Sequence, residues 1–232
     1  MAAPIPTLRS IGLVKGYPLV LCSVLLFGLA AAWPFVLVAQ PVDETDGTVR
    51  VGDRWVYDTR DEMTGYPKET YVEVVTEVSP KETLVNLTVS GNSASAILTY
   101  DHDWNCIDNL IWKFKPNDGQ GIRLPLAVGR TWRSEFEAKN TQTSANIKGS
   151  GSSKVVAQES ITTSAGTFET FKIERRVTQF STTDAARRTE IQVVTWYAPQ
   201  INNVVRRKTV VTFEKRIRSS GSEELADFTR NL

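Results

Sequence analysis

The chain has one histidine and two cysteines among its 232 residues, and each scarcity removes a class of chemistry. A single imidazole excludes multi-histidine metal centres and leaves His102 as the sole histidine base for a nucleophile. Two cysteines exclude a disulfide-rich scaffold. An excess of either charge is also missing: 27 Lys/Arg stand against 26 Asp/Glu, a formal net charge of +1. Such a balance argues against a general nucleic-acid binder. Disorder is excluded by 41% hydrophobic and 23% charged residues, ordinary values for a folded chain.

One long apolar run is present. Residues 19–38, LVLCSVLLFGLAAAWPFVLV, carry no charge. As a helix rising about 1.5 Å per residue they would span roughly 30 Å, the thickness of a bilayer's hydrocarbon core. Arg9 and Lys15 precede the run, and Asp43, Glu44 and Asp46 follow it. That asymmetry holds the N-terminus in the cytoplasm and exports the rest. Two fates remain open. Residues 19–29 followed by Ala30, Ala31 and Ala32 fit a signal peptide; continuation through Phe35, Val36, Leu37 and Val38 fits an uncleaved anchor. Cys22 follows Leu21, which does not suit a lipobox. Either fate places the body on the periplasmic side of the inner membrane, anchored there or free in the periplasm. Cys106 is then the single exported cysteine and is expected to be buried.

The sequence divides into a signal peptide or single transmembrane anchor (1–40), an acidic linker (41–50), a β-rich exported domain (51–218) and a C-terminal tail (219–232), with 222–228 read as a short terminal helix. Residues 71–78 and 83–89 alternate around Ser79-Pro80-Lys81 and predict an antiparallel hairpin. On that pattern Val72, Val74, Thr76 and Val78 share one face and Glu73 and Glu77 the other. Further strands are predicted at 131–138, 153–160, 168–180, 188–197 and 203–217. The body lacks a helical period over about eleven residues. The expected fold is all-β and mainly antiparallel: a curved sheet, half-barrel or sandwich, with one N-terminal hydrophobic helix.

A short pattern occurs twice: Val51-Gly52-Asp53-Arg54-Trp55 and Val128-Gly129-Arg130-Thr131-Trp132. Each reads as a glycine turn delivering an indole to the buried side of a sheet. Ala165-Gly166-Thr167-Phe168-Glu169-Thr170 leads into one strand, and Thr195-Trp196-Tyr197-Ala198-Pro199 precedes Val204-Val205-Arg206-Arg207. These two motifs resemble an uncharacterised bacterial envelope family, domain of unknown function 3108, with the related TapB-type proteins. The Val-Gly-x-x-Trp doublet is similar to that group as well, so the likeness runs over 51–217 as organisation. Where the family often has glycine after its Trp-aromatic-x-Pro motif, this chain has Asn202-Asn203, and asparagine also takes positive φ. The resemblance implies a periplasmic β-sheet domain, curved like the half-barrels of lipoprotein carriers, and fixes no catalytic residue.

Candidate sites follow from the remaining patterns. Asp101, His102, Asp103 and Cys106 are all metal-ligand types, and an extended strand would put Asp101 and Asp103 on one face. With no second histidine to complete a site, a solvated connection is expected, and no metal or cofactor. Gly149-Ser-Gly-Ser-Ser153 precedes a strand, not the helix a phosphate loop requires, and is expected to be a hairpin tip. Residues 41–118 hold 7 Lys/Arg against 15 Asp/Glu, whereas 167–218 hold 11 against 5. The basic segment forms a cationic face for anionic headgroups or an acidic protein, or else it exchanges cross-strand ion pairs. Adjacent arginines point to opposite sides of a strand, which halves any such patch.

Trp55, Trp132 and Trp196, with Arg206 and Arg207, are the candidate ligand-binding residues: the indoles build the core or line a groove for an acyl chain. The expected function is a non-enzymatic exported envelope protein that binds a lipid-like or protein ligand on a curved sheet, membrane-associated through its N-terminal helix and without nucleic acid. The alternative is a membrane-anchored structural or assembly module with no small-molecule ligand. An enzyme ranks third, because hydrolase and oxidoreductase constellations are missing.

Overall fold

The structure, a computed structural model, describes residues 48–184 and 186–231. The segment read as signal peptide or anchor lies outside the described residues. Twelve strands follow one another: β1 (Arg54–Asp61), β2 (Pro67–Val78), β3 (Thr83–Val89), β4 (Ser95–Tyr100), β5 (Cys106–Asp108), β6 (Trp112–Lys115), β7 (Thr131–Asn140), β8 (Asn146–Thr163), β9 (Gly166–Ser181), β10 (Arg188–Ala198), β11 (Asn203–Phe213) and β12 (Arg216–Thr229). A 3-10 turn, Pro199–Ile201, joins β10 to β11. Each strand pairs antiparallel with its sequence neighbour, and β12 pairs back onto β1 with Arg54 opposite Thr229. The sheet is therefore a closed barrel, not a half-barrel or sandwich, and closure leaves neither end strand with unpaired backbone.

Two expectations at the C-terminus are corrected by that closure. Residues 219–229 are strand, neither tail nor helix, and the boundary at 218 falls inside β12. The stretch 203–217 is two strands joined at Glu214 and Lys215, both at positive φ (50° and 62°). Such a turn is usually announced by asparagine or glycine, which this chain lacks there. The β2–β3 hairpin forms as read.

The wall alternates. In β7, Trp132, Phe136, Ala138 and Asn140 are buried while Arg133, Glu135, Glu137 and Lys139 are exposed. Lys148, Lys154, Glu174 and Arg176 continue the exposed face on β8 and β9. A wall with this many outward charges is built for water, since each charge on a lipid-facing strand costs a few kcal/mol.

The Val-Gly-x-x-Trp doublet is a structural repeat. Gly52 and Gly129 both sit at φ 92°, a conformation that disfavours a side chain. Their N–H groups donate to the Val75 and Val155 carbonyls, at 2.8 and 2.9 Å. Those valines' N–H groups donate back to the carbonyls of Asp53 and Arg130, each at 2.9 Å. Both valines precede a register shift in their strands, β2 and β8. In each copy the tryptophan that follows is buried.

Residues 149–153 are not a hairpin tip but the middle of β8. Gly149 lies opposite Phe136, whose ring occupies the space a Cβ would need. The glycine-serine run thus makes room for an aromatic from the neighbouring strand.

About eight strands enclose an interior that side chains can fill, so twelve leave surplus room. Part of it is taken by the β6–β7 connection (116–130), which delivers Ile122 among Trp132, Val155, Ile173 and Tyr197. A second cluster packs Trp55, Tyr57, Val75, Val85, Phe168, Val205 and Leu225, and a third Phe136, Ala138 and Val177.

Candidate functional site

A hollow of about 300 Å³ remains inside the barrel, lined by Tyr57, Tyr71, Glu73, Tyr100, Trp104, Cys106, Asp118, Tyr197, Arg207 and Glu223 among others. The register explains the gathering. Tyr57 faces Tyr71 across β1–β2, and Glu73 follows two residues on; Arg207 faces Glu223 across β11–β12. Glu73 therefore points inward, and Val72 and Val74 lie on the opposite, outer side of β2. Val72 and Val74 thus share a face opposite Glu73, as the alternation predicts. Alternation identifies which residues travel together; the interior is partly polar, so hydropathy alone does not say which set enters it.

Charges in the hollow are unequally matched. Arg207 pairs with Glu223 at 2.8 Å, and the Tyr71 hydroxyl donates to Glu223 Oε2 at 2.6 Å. Burial opposes the Arg207 charge, yet Glu223 and the surrounding phenols outweigh it and hold the guanidinium above its ordinary range. No donor or cation contacts the Glu73 carboxyl among the described residues. Burial, and then the Glu223 charge, push Glu73 up to about 7, with Arg207 pulling the other way. Tyr57, Tyr71 and Tyr100 are each raised, first by burial and then by neighbours that include Glu73. Three phenols held neutral thus line the same hollow as a carboxylate that no donor contacts.

The floor of the hollow is the β6–β7 connection. Asp118 accepts from the Cys106 and Gln120 amides at 3.0 and 2.9 Å. Burial pushes this carboxyl up to about 6 against those bonds and the pull of Arg175. Arg175 reaches the connection from β9 and donates to the Gly121 carbonyl at 2.8 Å, to the Gln120 carbonyl, and to Ser153 Oγ at 2.9 Å. Burial pushes the Arg175 guanidinium down to about 10. Cys106 is buried and free, as expected, and burial with the Asp118 charge lifts its thiol far above the reactive range.

Of the five residues predicted as ligand-binding, the barrel brings only Arg207 to the hollow. Trp55 is 0% exposed inside the core. Trp132 packs with Ile122 in the cluster formed under the β6–β7 connection. Trp196 and Arg206 stand on the other face of their strands: Trp196 is flanked by Lys172 and Arg206, its Nε1 donates to Glu159 at 2.5 Å, and Arg206 pairs with Glu224 at 2.6 Å. The opposed sides expected for Arg206 and Arg207 are thus realised, and both cations are matched by β12 glutamates. Asp101 and Asp103 do not share a strand face, because 101–105 is a turn in which Asp101 accepts from Asn105 and Asn117. Sequence patterning does not single out Tyr57, Tyr71, Glu73, Tyr100 and Glu223 as a site; the one local signal is Tyr71 in phase with Glu73 on β2.

The segment from β7 to the β11–β12 turn carries the motifs noted in the sequence. Residues 133–215 match the DUF3108-like family model. That match bears out the resemblance to domain of unknown function 3108. The DUF3108-like segment contributes Thr195, Tyr197, Asn203, Val204 and Arg207 to the hollow; Tyr57, Tyr71, Glu73 and Tyr100 come from before it. Among solved structures, a candidate lipoprotein from Parabacteroides distasonis is similar at 15% identity and TM-score 0.51, covering 78% of this chain and 96% of that one. A candidate exported protein with a YmcC-like fold from Bacteroides fragilis has 15% identity and TM-score 0.49, over 78% and 97%. The hypothetical lipoprotein YmcC from Escherichia coli has 13% identity and TM-score 0.46, over 78% and 87%. No match was found among curated proteins.

A pH dependence follows from the raised carboxyls. Glu73 is shifted from 4.5 to about 7 and Asp118 from 3.8 to about 6, so the folded state holds protons that the unfolded state has released. Their contribution to stability is complete below the unfolded values and is lost as pH rises through about 6 and then about 7. The melting temperature should therefore fall between about pH 5 and about pH 8, and Glu73→Gln should flatten the upper part of that fall. An unchanged slope in the variant would assign the dependence elsewhere.

Proposed function

We propose that the protein is a non-enzymatic, exported barrel of the bacterial cell envelope that holds a small ligand in its interior hollow. The observation that carries this reading is the hollow itself: a space of about 300 Å³ lined by an ion pair, an unpaired carboxylate and tyrosine rings, where a purely structural barrel would be packed shut. Export is supported by the uncharged run at 19–38 and the charges flanking it, and the Parabacteroides protein of similar fold is itself a candidate lipoprotein. A non-enzymatic role is supported by the side chains available. The Cys106 thiol is held protonated by burial, and His102 stands exposed on the β4–β5 connection.

The lining is polar enough that a lipid-like ligand would enter by its head group and not by a bare acyl chain. Native mass spectrometry of the full chain, released from detergent after expression in a bacterial envelope, tests the reading. A bound small molecule should accompany the wild type and be lost from Leu98→Trp, since Leu98 lines the hollow and an indole there would occupy it. Protein that is empty in every preparation, and unshifted in melting temperature by envelope small-molecule extracts, would reject it.

A second reading, the membrane-anchored assembly module, is favoured by one feature of the wall. A groove of about 690 Å³ is lined by Asp58, Arg60, Lys68, Arg206, Lys208 and Glu224 among others. Alternating charge of this kind suits a protein partner's polar surface.

A further inference from the structure

We propose that the hollow is a receptor site for an ammonium group, with Glu73 as its counter-ion and the rings of Tyr57, Tyr71 and Tyr100 as its walls. The inference rests on the reading that the hollow takes a ligand, and it names that ligand's chemistry.

Among the described residues one cation, Arg207, and three carboxylates, Glu73, Asp118 and Glu223, line the hollow, and the Arg175 guanidinium is bonded to the connection that forms its floor. Arg207 is committed to Glu223. Arg175 is committed to the carbonyls of Gln120 and Gly121, and Asp118 to the amides of Cys106 and Gln120. Glu73 alone keeps a charge with nothing in contact to match it. When it ionises the interior carries one uncompensated negative charge, and an entering cation removes the penalty. An anion would meet Glu73 and Glu223 while the nearest guanidinium is already engaged.

The walls suit the same guest. Tyr57 and Tyr71 stack at 5.2 Å between centroids, and Tyr100 meets Trp104 edge-on at 5.5 Å. Aromatic faces attract ammonium groups, the more so where water is displaced. Tyr57, Tyr71 and Tyr100 line the same hollow as Glu73. Tyr57 and Tyr71 are further fixed by hydroxyl bonds to the Val204 carbonyl at 2.8 Å and to Glu223. The cage is therefore set before a ligand arrives. The titratable groups that share the hollow with Glu73 are Tyr57 on β1, Tyr71 on β2, Tyr100 on β4, Cys106 on β5, Asp118 on the β6–β7 connection, Tyr197 on β10, Arg207 on β11 and Glu223 on β12, while β3 sets Leu87 opposite Glu73.

The test compares choline with its neutral carbon isostere, 3,3-dimethylbutan-1-ol, on the full chain in detergent by calorimetry and tryptophan fluorescence. At about pH 8.5 choline should bind at least about tenfold more tightly. The preference should collapse towards unity at about pH 5.5, where Glu73 is protonated, and at both pH values in Glu73→Gln. Tyr100→Leu should weaken choline several-fold and leave the isostere little changed. A preference that survives in Glu73→Gln overturns the assignment. Equal binding of both probes, lost together in Leu98→Trp, also overturns it while leaving the hollow a ligand site. No binding of any probe overturns the ammonium site and removes its support from the ligand reading. Competition against choline identifies the source. Ethanolamine competes if the ligand is a free amine, and phosphatidylethanolamine vesicles compete if it is a lipid head group. Displacement by either supports the site, and displacement by neither overturns it.

Discussion

Replacing Trp55 with alanine should lower the unfolding free energy by about 3–5 kcal/mol, the cost of emptying a large aromatic site in a packed core. Trp55 is 0% exposed and lies where the barrel closes, since its strand pairs with both β2 and β12. Its ring stacks on Phe228 of β12 at 6.1 Å and meets Trp104 edge-on at 5.7 Å. One side chain thus joins the closing strand to Trp104 on the β4–β5 connection, which also lines the hollow. Phenylalanine at this position should cost much less. It keeps most of the ring contact and removes a buried indole N–H that has no acceptor among the described residues, a group whose desolvation costs about 1–3 kcal/mol. Urea denaturation of the three forms measures the difference through the midpoint. An alanine variant within about 1 kcal/mol of wild type would show that β12 closes the barrel without this contact.

Replacing Arg175 with methionine should be about as damaging, roughly 3–5 kcal/mol, by the rule for removing one member of a buried polar network. The guanidinium is 5% exposed. Methionine keeps the apolar stem but leaves the Gln120 and Gly121 carbonyls and the Ser153 hydroxyl without their donor, and Asp118 without its nearby cation. The damage should be local first. The amides of Asp118, Gly121 and Ile122 donate to Cys106 O, Asn105 Oδ1 and Asp103 O at 2.8, 2.7 and 2.5 Å. They should exchange with solvent faster than amides in β9 and β10, because the β6–β7 connection opens before the wall does. The Asp118 carboxyl should rise above about 6 once the arginine is gone. Uniform acceleration across the barrel would instead mean that the connection and wall unfold as one unit.

Local sequence determined a good part of this protein. Alternation and turn chemistry fixed the β2–β3 hairpin, the two-faced β7 and the extended character of the body. The twin Val-Gly-x-x-Trp turns and the left-handed Asn202, at φ 46°, could be read from single residues because each answers a backbone demand within a few positions.

What the tertiary structure decided depended on partners far apart in the chain. Residues 219–229 contain too few apolar side chains to read as strand, yet they become one because β1 and β11 each offer them an unpaired edge. Gly149 sits mid-strand because Phe136 fills its place from the next strand. Glu73 points inward because closing twelve strands leaves a cavity that phenols and an ion pair keep polar. A period of two tells which side chains share a face. Only pairing between residues as distant as Arg54 and Thr229 settles which face becomes the inside.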